Sequence, residues 1–320
     1  MMPAIIYMAF NQGTEASTGW AVPTATDIAF AVGVLALLGK SIPGGIRVLL
    51  LALAIIDDIV AILIIAVFYT ASLDYLGLVV ALSGLALVLL FQKMGIGKAY
   101  LYILPGAIVW FGLLKTGVHP TLAGVILGLM TPVNSKPATE QPLDTIGRTF
   151  HELMDRFSHS SNSPQEVTKP LKQLQQAQRE ILPPVQRVQV GLHPWVAFGV
   201  MPLFALANAG VGLEGINLDD DVSRNIFMGV ISALVLGKPL GIVLASVALV
   251  KLNICKLPEG VTWSGIGLVG LLAGIGFTMS IFISSLAFSD PALLSSAKLS
   301  VLAASAAAAI TGLIWGKIKF

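Results

Sequence analysis

Asp57 and Asp58 stand side by side inside an apolar run that extends from Gly44 to Tyr69. A helix crosses a bilayer with about 20 predominantly apolar residues rising about 1.5 Å each, so this run is long enough to span one. Both carboxylates then lie near the membrane's midplane. A single charge at that depth costs roughly 2.5 to 3.5 kcal/mol on insertion scales and is kept where it faces a wet cavity or a partner. A purely structural ion pair to a neighbouring helix would need one aspartate, not two. The doublet therefore reads as an ion or proton site.

The rest of the chain agrees with a membrane setting. Of its 320 residues, 56% are hydrophobic and only 11% charged, too few polar side chains to wrap a water-soluble core of this size. The expected fold class is an all-α polytopic membrane protein. One cysteine, Cys255, rules out an internal disulfide framework, and four scattered histidines offer no dense ligand cluster. Redox chemistry, zinc chemistry and a bound cofactor are not expected. A net charge of +2 gives no footprint for nucleic acid. Met1 to Phe10 lacks the charged start and small-residue cleavage site of a signal peptide.

Taken in order, the chain opens with a half-length apolar stub, Pro3 to Phe10, that resembles the tail of a helix. Apolar segments follow at Gly19 to Leu38, Gly44 to Tyr69, Tyr75 to Phe91, Ala99 to Leu114 and Val118 to Met130, the last one short. From Thr131 to Leu192 proline, serine, glutamine and charged residues dominate, with a moderately helical stretch around Lys172 to Ile181. This segment reads as a soluble linker, more mobile than folded. Four further apolar segments occupy Trp195 to Val211, Asn225 to Val250, Ile266 to Phe288 and Leu293 to Trp315. The expectation is nine full spans and a partial one. The division is 1–130 membrane, 131–192 linker and 193–320 membrane.

Because consecutive spans alternate sides, basic residues can be sorted by compartment. Lys40, Arg47, Lys93, Lys98, Lys251, Lys256, Lys317 and Lys319 fall on the side of the linker. The other side holds Lys115, Arg224 and Lys298 with the acidic run Asp219 to Asp221. The positive-inside rule then puts the linker and the C-terminus in the cytoplasm. It also requires Gly19 to begin outside, which the stub is too short to arrange. The N-terminus is therefore expected to be incomplete.

Two spans carry interruptions. Pro23-Thr24-Ala25-Thr26-Asp27 puts a proline, hydroxyls and a carboxylate in the first, and proline removes a backbone bond and clashes with the preceding turn. Irregular backbone at membrane depth is tolerated where it is buried in protein or lines a cavity. In Gly270 to Ser280, Gly274 and Gly276 weaken the helix while Thr278 and Ser280 can satisfy freed groups. Close packing through small residues is the other reading of this stretch. Paired interruptions are the best sequence pointer to a transporter built from inverted repeats. If both helices break and cross, Asp27 can offset the positive helix N-termini and Lys238 the negative C-termini.

Lys238 is the one cation at such depth, so its partner is expected among the three intramembrane carboxylates. A lysine and aspartate paired in low dielectric change charge state when a proton or metal ion competes for the carboxylate. That is the chemistry of exchange. Asp57 and Asp58 project about 100° apart on a helix. One division pairs Asp57 with Lys238 and leaves Asp58 facing the ion path. Hard carboxylate oxygens suit Na+ or Li+, with Thr26 and water completing the shell. His119, after Gly117, lies near the outer end of a short span and either helps to terminate it or responds to pH. His193, in His193-Pro194-Trp195, opens a helix at the surface and is either a pH reporter or an interface anchor with Trp195.

Six motifs in this order resemble the NhaA family of sodium/proton antiporters of bacterial inner membranes. They are Ala25-Thr26-Asp27-Ile28-Ala29-Phe30, Ala54-Ile55-Ile56-Asp57-Asp58, Gly117-Val118-His119, Leu192-His193-Pro194-Trp195, Gly237-Lys238-Pro239-Leu240-Gly241 and Gly274-Ile275-Gly276-Phe277-Thr278-Met279-Ser280. The resemblance implies a twelve-helix inverted-repeat fold with two unwound, crossing helices, here those carrying Asp27 and Gly276. It also implies electrogenic exchange of Na+ or Li+ for H+ and a homodimer. By resemblance Asp57 and Asp58 carry the cation and protons, Lys238 pairs with Asp57, and Asp27 and Thr26 border the site. This chain departs from the family in three ways. It has no counterpart of the first two helices, most of the third, or the hairpin associated with dimerisation. Gln189 stands where the family can carry an acidic residue four positions before the histidine, and the linker is longer.

Two other functions compete for the same features. Intramembrane aspartyl proteases place theirs on separate helices, one in a Gly-x-Gly-Asp context, which Asp57 and Asp58 do not match. A sodium-coupled symporter would move substrate without protons.

Overall fold

A computed structural model describes residues 1–69, 74–94, 96, 99–132, 142–158, 174, 182–208, 210 and 220–320. Among these residues every regular element is helical. They are α1 (Met2–Asn11), a 3-10 segment (Glu15–Thr24), α2 (Ile28–Leu37), α3 (Gly44–Phe68), α4 (Tyr75–Lys93), α5 (Ile103–Thr116), α6 (Thr121–Met130) and α7 (Pro142–Ser158). After these come α8 (Pro184–Asn208), α9 (Asp221–Lys251), α10 (Trp263–Ala273), α11 (Phe277–Ala287) and α12 (Pro291–Lys319). Helix starts are set by the sequence: Asp74, Asp220, Thr262 and Asp290 each accept a hydrogen bond from a first-turn backbone N–H. Gly117, at φ +84°, closes α5 in the left-handed conformation that glycine adopts without strain.

Five helices are long and apolar enough to cross a membrane: α3, α4, α8, α9 and α12. Two bent pairs, the 3-10 segment with α2 and α10 with α11, raise the number to seven if each is one span. The segments expected as spans at Ala99 to Leu114 and Val118 to Met130 form shorter apolar helices. The polar segment differs from expectation. It contains α7, and its last residues, from Pro184, already belong to α8. The stretch Lys172 to Ile181 lies outside the described residues except for Leu174.

Packing divides the chain into two units, residues 1–70 with 202–320 and residues 71–201. In the first unit, Leu35, Ile46, Leu50, Leu268 and Leu272 build one apolar core, and Ile226, Leu234, Ile281, Ile283 and Val301 another. In the second unit, α4 and α5 approach closely at Gly112, where a Cβ would stand 2.3 Å from the Ala81 nitrogen. Their core is Ala81, Val109, Leu113 and Ala123. On α3, Ile55, Ile56, Ile59, Leu63 and Val67 are exposed.

Candidate functional site

The first break begins where Pro23 sits inside the 3-10 segment and Ala25 and Asp27 turn to extended backbone. The flanking helices bend by 47°. The second break, Gly274 to Gly276, separates α10 from α11, which bend by 45°. A Cβ on Gly274 would meet the Leu234 carbonyl oxygen at 2.6 Å, a backbone contact that cannot yield. At Gly276 the obstacle is the Ser280 hydroxyl, which can rotate.

The two breaks touch. Asp27 N–H donates to Ile275 O at 2.7 Å, and Thr26 Oγ1 lies 3.2 Å from Ala273 O. One carboxylate serves two helix starts: Asp27 accepts from Phe30 N–H of α2 at 3.1 Å and from Thr278 N–H of α11 at 3.1 Å. The Thr278 hydroxyl donates to the same carboxylate. Anions are favoured at helix N-termini because unpaired N–H groups and the helix dipole point there, and here two such ends share one anion. Phe277 N–H, another of these groups, is taken by Ser305 Oγ of α12 at 3.0 Å.

Against the first break stands α3. Asp57 Oδ2 accepts from Thr26 Oγ1 at 2.8 Å and from Lys238 Nζ at 3.0 Å. Lys238 also donates to the Thr26 hydroxyl. Because that hydroxyl has one proton, it serves either Asp57 or the Ala273 carbonyl, and the choice can follow the state of Asp57. The Lys238 side chain is 5% exposed and that of Asp57 27%, so the pair sits at the edge between protein interior and surface. Asp58, the next residue, is half-buried, and its Oδ1 is buried without a hydrogen-bond partner. Unpaired buried oxygens are costly and call for a proton or an ion.

Lys238 is delivered by a π-turn at Ala233–Gly237 in α9, directly before it. Such a turn inserts extra backbone into an α-helix and rotates the residues after it, and it recurs at functional positions. The ammonium reaches the end of α10 through Thr26, which touches the Ala273 carbonyl.

The expected residues thus divide. Thr26, Asp27, Asp57, Asp58, Lys238, Pro23, Gly274 and Gly276 all belong to the first unit, and hydrogen bonds or close contacts join the two breaks to α3 and α9. His119 and His193 belong to the second unit, His193 exposed on α8. Among the described residues, no three His, Cys, Asp or Glu side chains are grouped as for a metal. Sequence reasoning missed Ser305 and the π-turn, neither of which interrupts an apolar pattern.

A family model described as Na+/H+ antiporter 1 matches residues 1–315. The Na(+)/H(+) antiporter NhaA of Janthinobacterium sp. (strain Marseille) is 60% identical over 316 residues, which are 99% of this chain and 70% of that protein. The protein of the same name from Cupriavidus necator is 61% identical over 318 residues, 99% of this chain and 68% of that one. That of Bartonella henselae is 53% identical over 317 residues, 99% and 70% respectively.

Proposed function

The chain belongs to the Na+/H+ antiporter 1 family, and from that premise we propose that it exchanges Na+ for H+ through Asp57, Asp58, Thr26 and Lys238. The observation that carries this reading is the meeting of the Lys238 ammonium and the Thr26 hydroxyl on one Asp57 oxygen, beside an unpartnered oxygen of Asp58.

Without a bound cation, Lys238 neutralises Asp57 and a proton neutralises Asp58. An arriving Na+ competes with the ammonium for Asp57 and with the proton for Asp58. The carboxylates offer hard oxygens, and the Thr26 hydroxyl with water completes the shell, a set that accepts Li+ as well. The Asp58 proton leaves as Na+ binds, and Lys238, no longer held by Asp57 in its buried site, gives up its ammonium proton as well, so more protons move than Na+ and the cycle is electrogenic. Asp27 balances the two helix starts, Lys238 balances the opposite ends, and Pro23, Gly274 and Gly276 let the backbone open there. The two broken helices are the matching elements of inverted repeats that rock about the site for alternating access. Their similar bends of 47° and 45° support that reading. In a bacterial inner membrane, with the segment 131–192 and the C-terminus cytoplasmic, the exchange extrudes sodium and serves pH homeostasis.

The test uses the chain reconstituted into liposomes with an acid interior and a trapped pH dye. Added Na+ is expected to collapse the gradient, and Asp58→Asn to abolish that collapse. A gradient indifferent to Na+, or an Asp58→Asn variant with unchanged flux, contradicts the proposal.

A further inference from the structure

The proposed exchange does not use α7, the helix within the polar segment. At 100° per residue, positions 143, 146, 150, 153, 154 and 157 fall in one sector about 100° wide, and the sequence places an apolar residue at each. The charged positions and His151 fall on the opposite side. Thr149, at the margin between the faces, is buried, whereas Phe150 is 54% exposed and Met154 57%. On the apolar face Phe150 and Met154 stand open, while Ile146 is half-buried.

Two observations say what meets that face. Val185 N–H, at the start of α8, donates to Pro132 O, at the end of α6, at 3.4 Å. Both ends of the polar segment are therefore held together where two apolar helices terminate. Pro142 follows Pro132 by ten residues, so α7 is tethered within at most about 36 Å of the point where α6 ends and α8 begins. The polar face carries three acidic and two basic residues, Asp144, Glu152, Asp155, Arg148 and Arg156. It offers no polybasic surface for an acidic partner or for anionic headgroups. A short helix with a sharply divided surface, low net hydrophobicity and a tether to a membrane is suited to lie in the interface plane.

We propose that α7 is a surface anchor whose Phe150 and Met154 face enters the boundary between headgroups and acyl chains on the side of the polar segment. The anchor returns the long segment to the leaflet beside α6 and α8. It rests on the membrane setting and not on ion exchange, and it is tested without measuring transport.

In a Cys255→Ser background, bimane is attached to Phe150→Cys or Met154→Cys and, on the polar face, to His151→Cys or Glu152→Cys. Each protein is reconstituted in phosphatidylcholine vesicles containing a shallow doxyl-labelled lipid. For insertion to the depth of an interfacial helix, the lipid quencher is expected to dim positions 150 and 154 at least about threefold more than 151 and 152, and aqueous iodide to show the reverse order. Ile146→Cys, also within the apolar sector, gives an independent reading if either of the first two positions lowers the yield. Equal access of iodide to both faces overturns the proposal. So does shielding of 150 and 154 from both quenchers, which would mean that protein covers them, whether this chain, a second copy or another partner.

Discussion

At the scale of single residues, the site turns on one carboxylate with two donors. Lys238 and Thr26 both point at Asp57 Oδ2, and Lys238 is nearly inaccessible. Removing one partner of such a pair leaves an uncompensated charge, whereas replacing both by apolar groups relieves it. Lys238→Met is therefore expected to destabilise the protein by about 3 kcal/mol, the low end of the range because Asp57 is 27% exposed. Lys238→Met with Asp57→Leu should recover most of that loss and still fail to transport. Thermal unfolding in detergent, followed by tryptophan fluorescence, makes the comparison, and a double variant no more stable than the single one would count against the pairing. Sequence revealed these residues because a charge in an apolar run is rare and expensive. Ser305 stayed invisible for the opposite reason: a serine in a helix commonly bonds its own preceding turn, as Ser284 does to Ser280 O, and so raises no anomaly.

At the scale of elements, the two breaks were legible from Pro23 and from Gly274 with Gly276, since both residue types remove helix-stabilising features. The π-turn was not. Ser232 to Gly237 reads as ordinary apolar helix, and the turn shows only in the structure, where Leu234 O packs against Gly274. The helix α7 was hidden by averaging, because the composition of 131–192 is polar while the order of residues within 142–158 is periodic. Glycine packing allows a direct check in the second unit. Gly112→Leu must push α5 away from the Ala81 backbone and is expected to cost at least about 1 to 3 kcal/mol of stability, the usual range for overpacking. Gly128→Leu, where a Cβ meets nothing within 4 Å, should change the melting temperature little. Equal melting temperatures for the two variants would contradict the close approach of α4 and α5.

At the scale of the whole molecule, composition alone placed the chain in a membrane, and five apolar helices of sufficient length, or seven with the bent pairs, agree. The segments at α5 and α6, read as spans from their hydropathy, form shorter apolar helices. What no local pattern conveys is assembly: residues 26, 57, 238, 273 and 278 come from distant parts of the chain and meet at one junction. The family match over residues 1–315 gives that junction its proposed task. Competition of Na+ and H+ for one carboxylate pair is measured by following both ions in one sample. Purified protein at fixed pH in weak buffer receives radioactive Na+, and bound sodium and released protons are recorded together. Protons are expected to leave as Na+ binds, more than one for each ion, and Asp58→Asn is expected to lose both signals. Sodium binding with no proton release would contradict the competition.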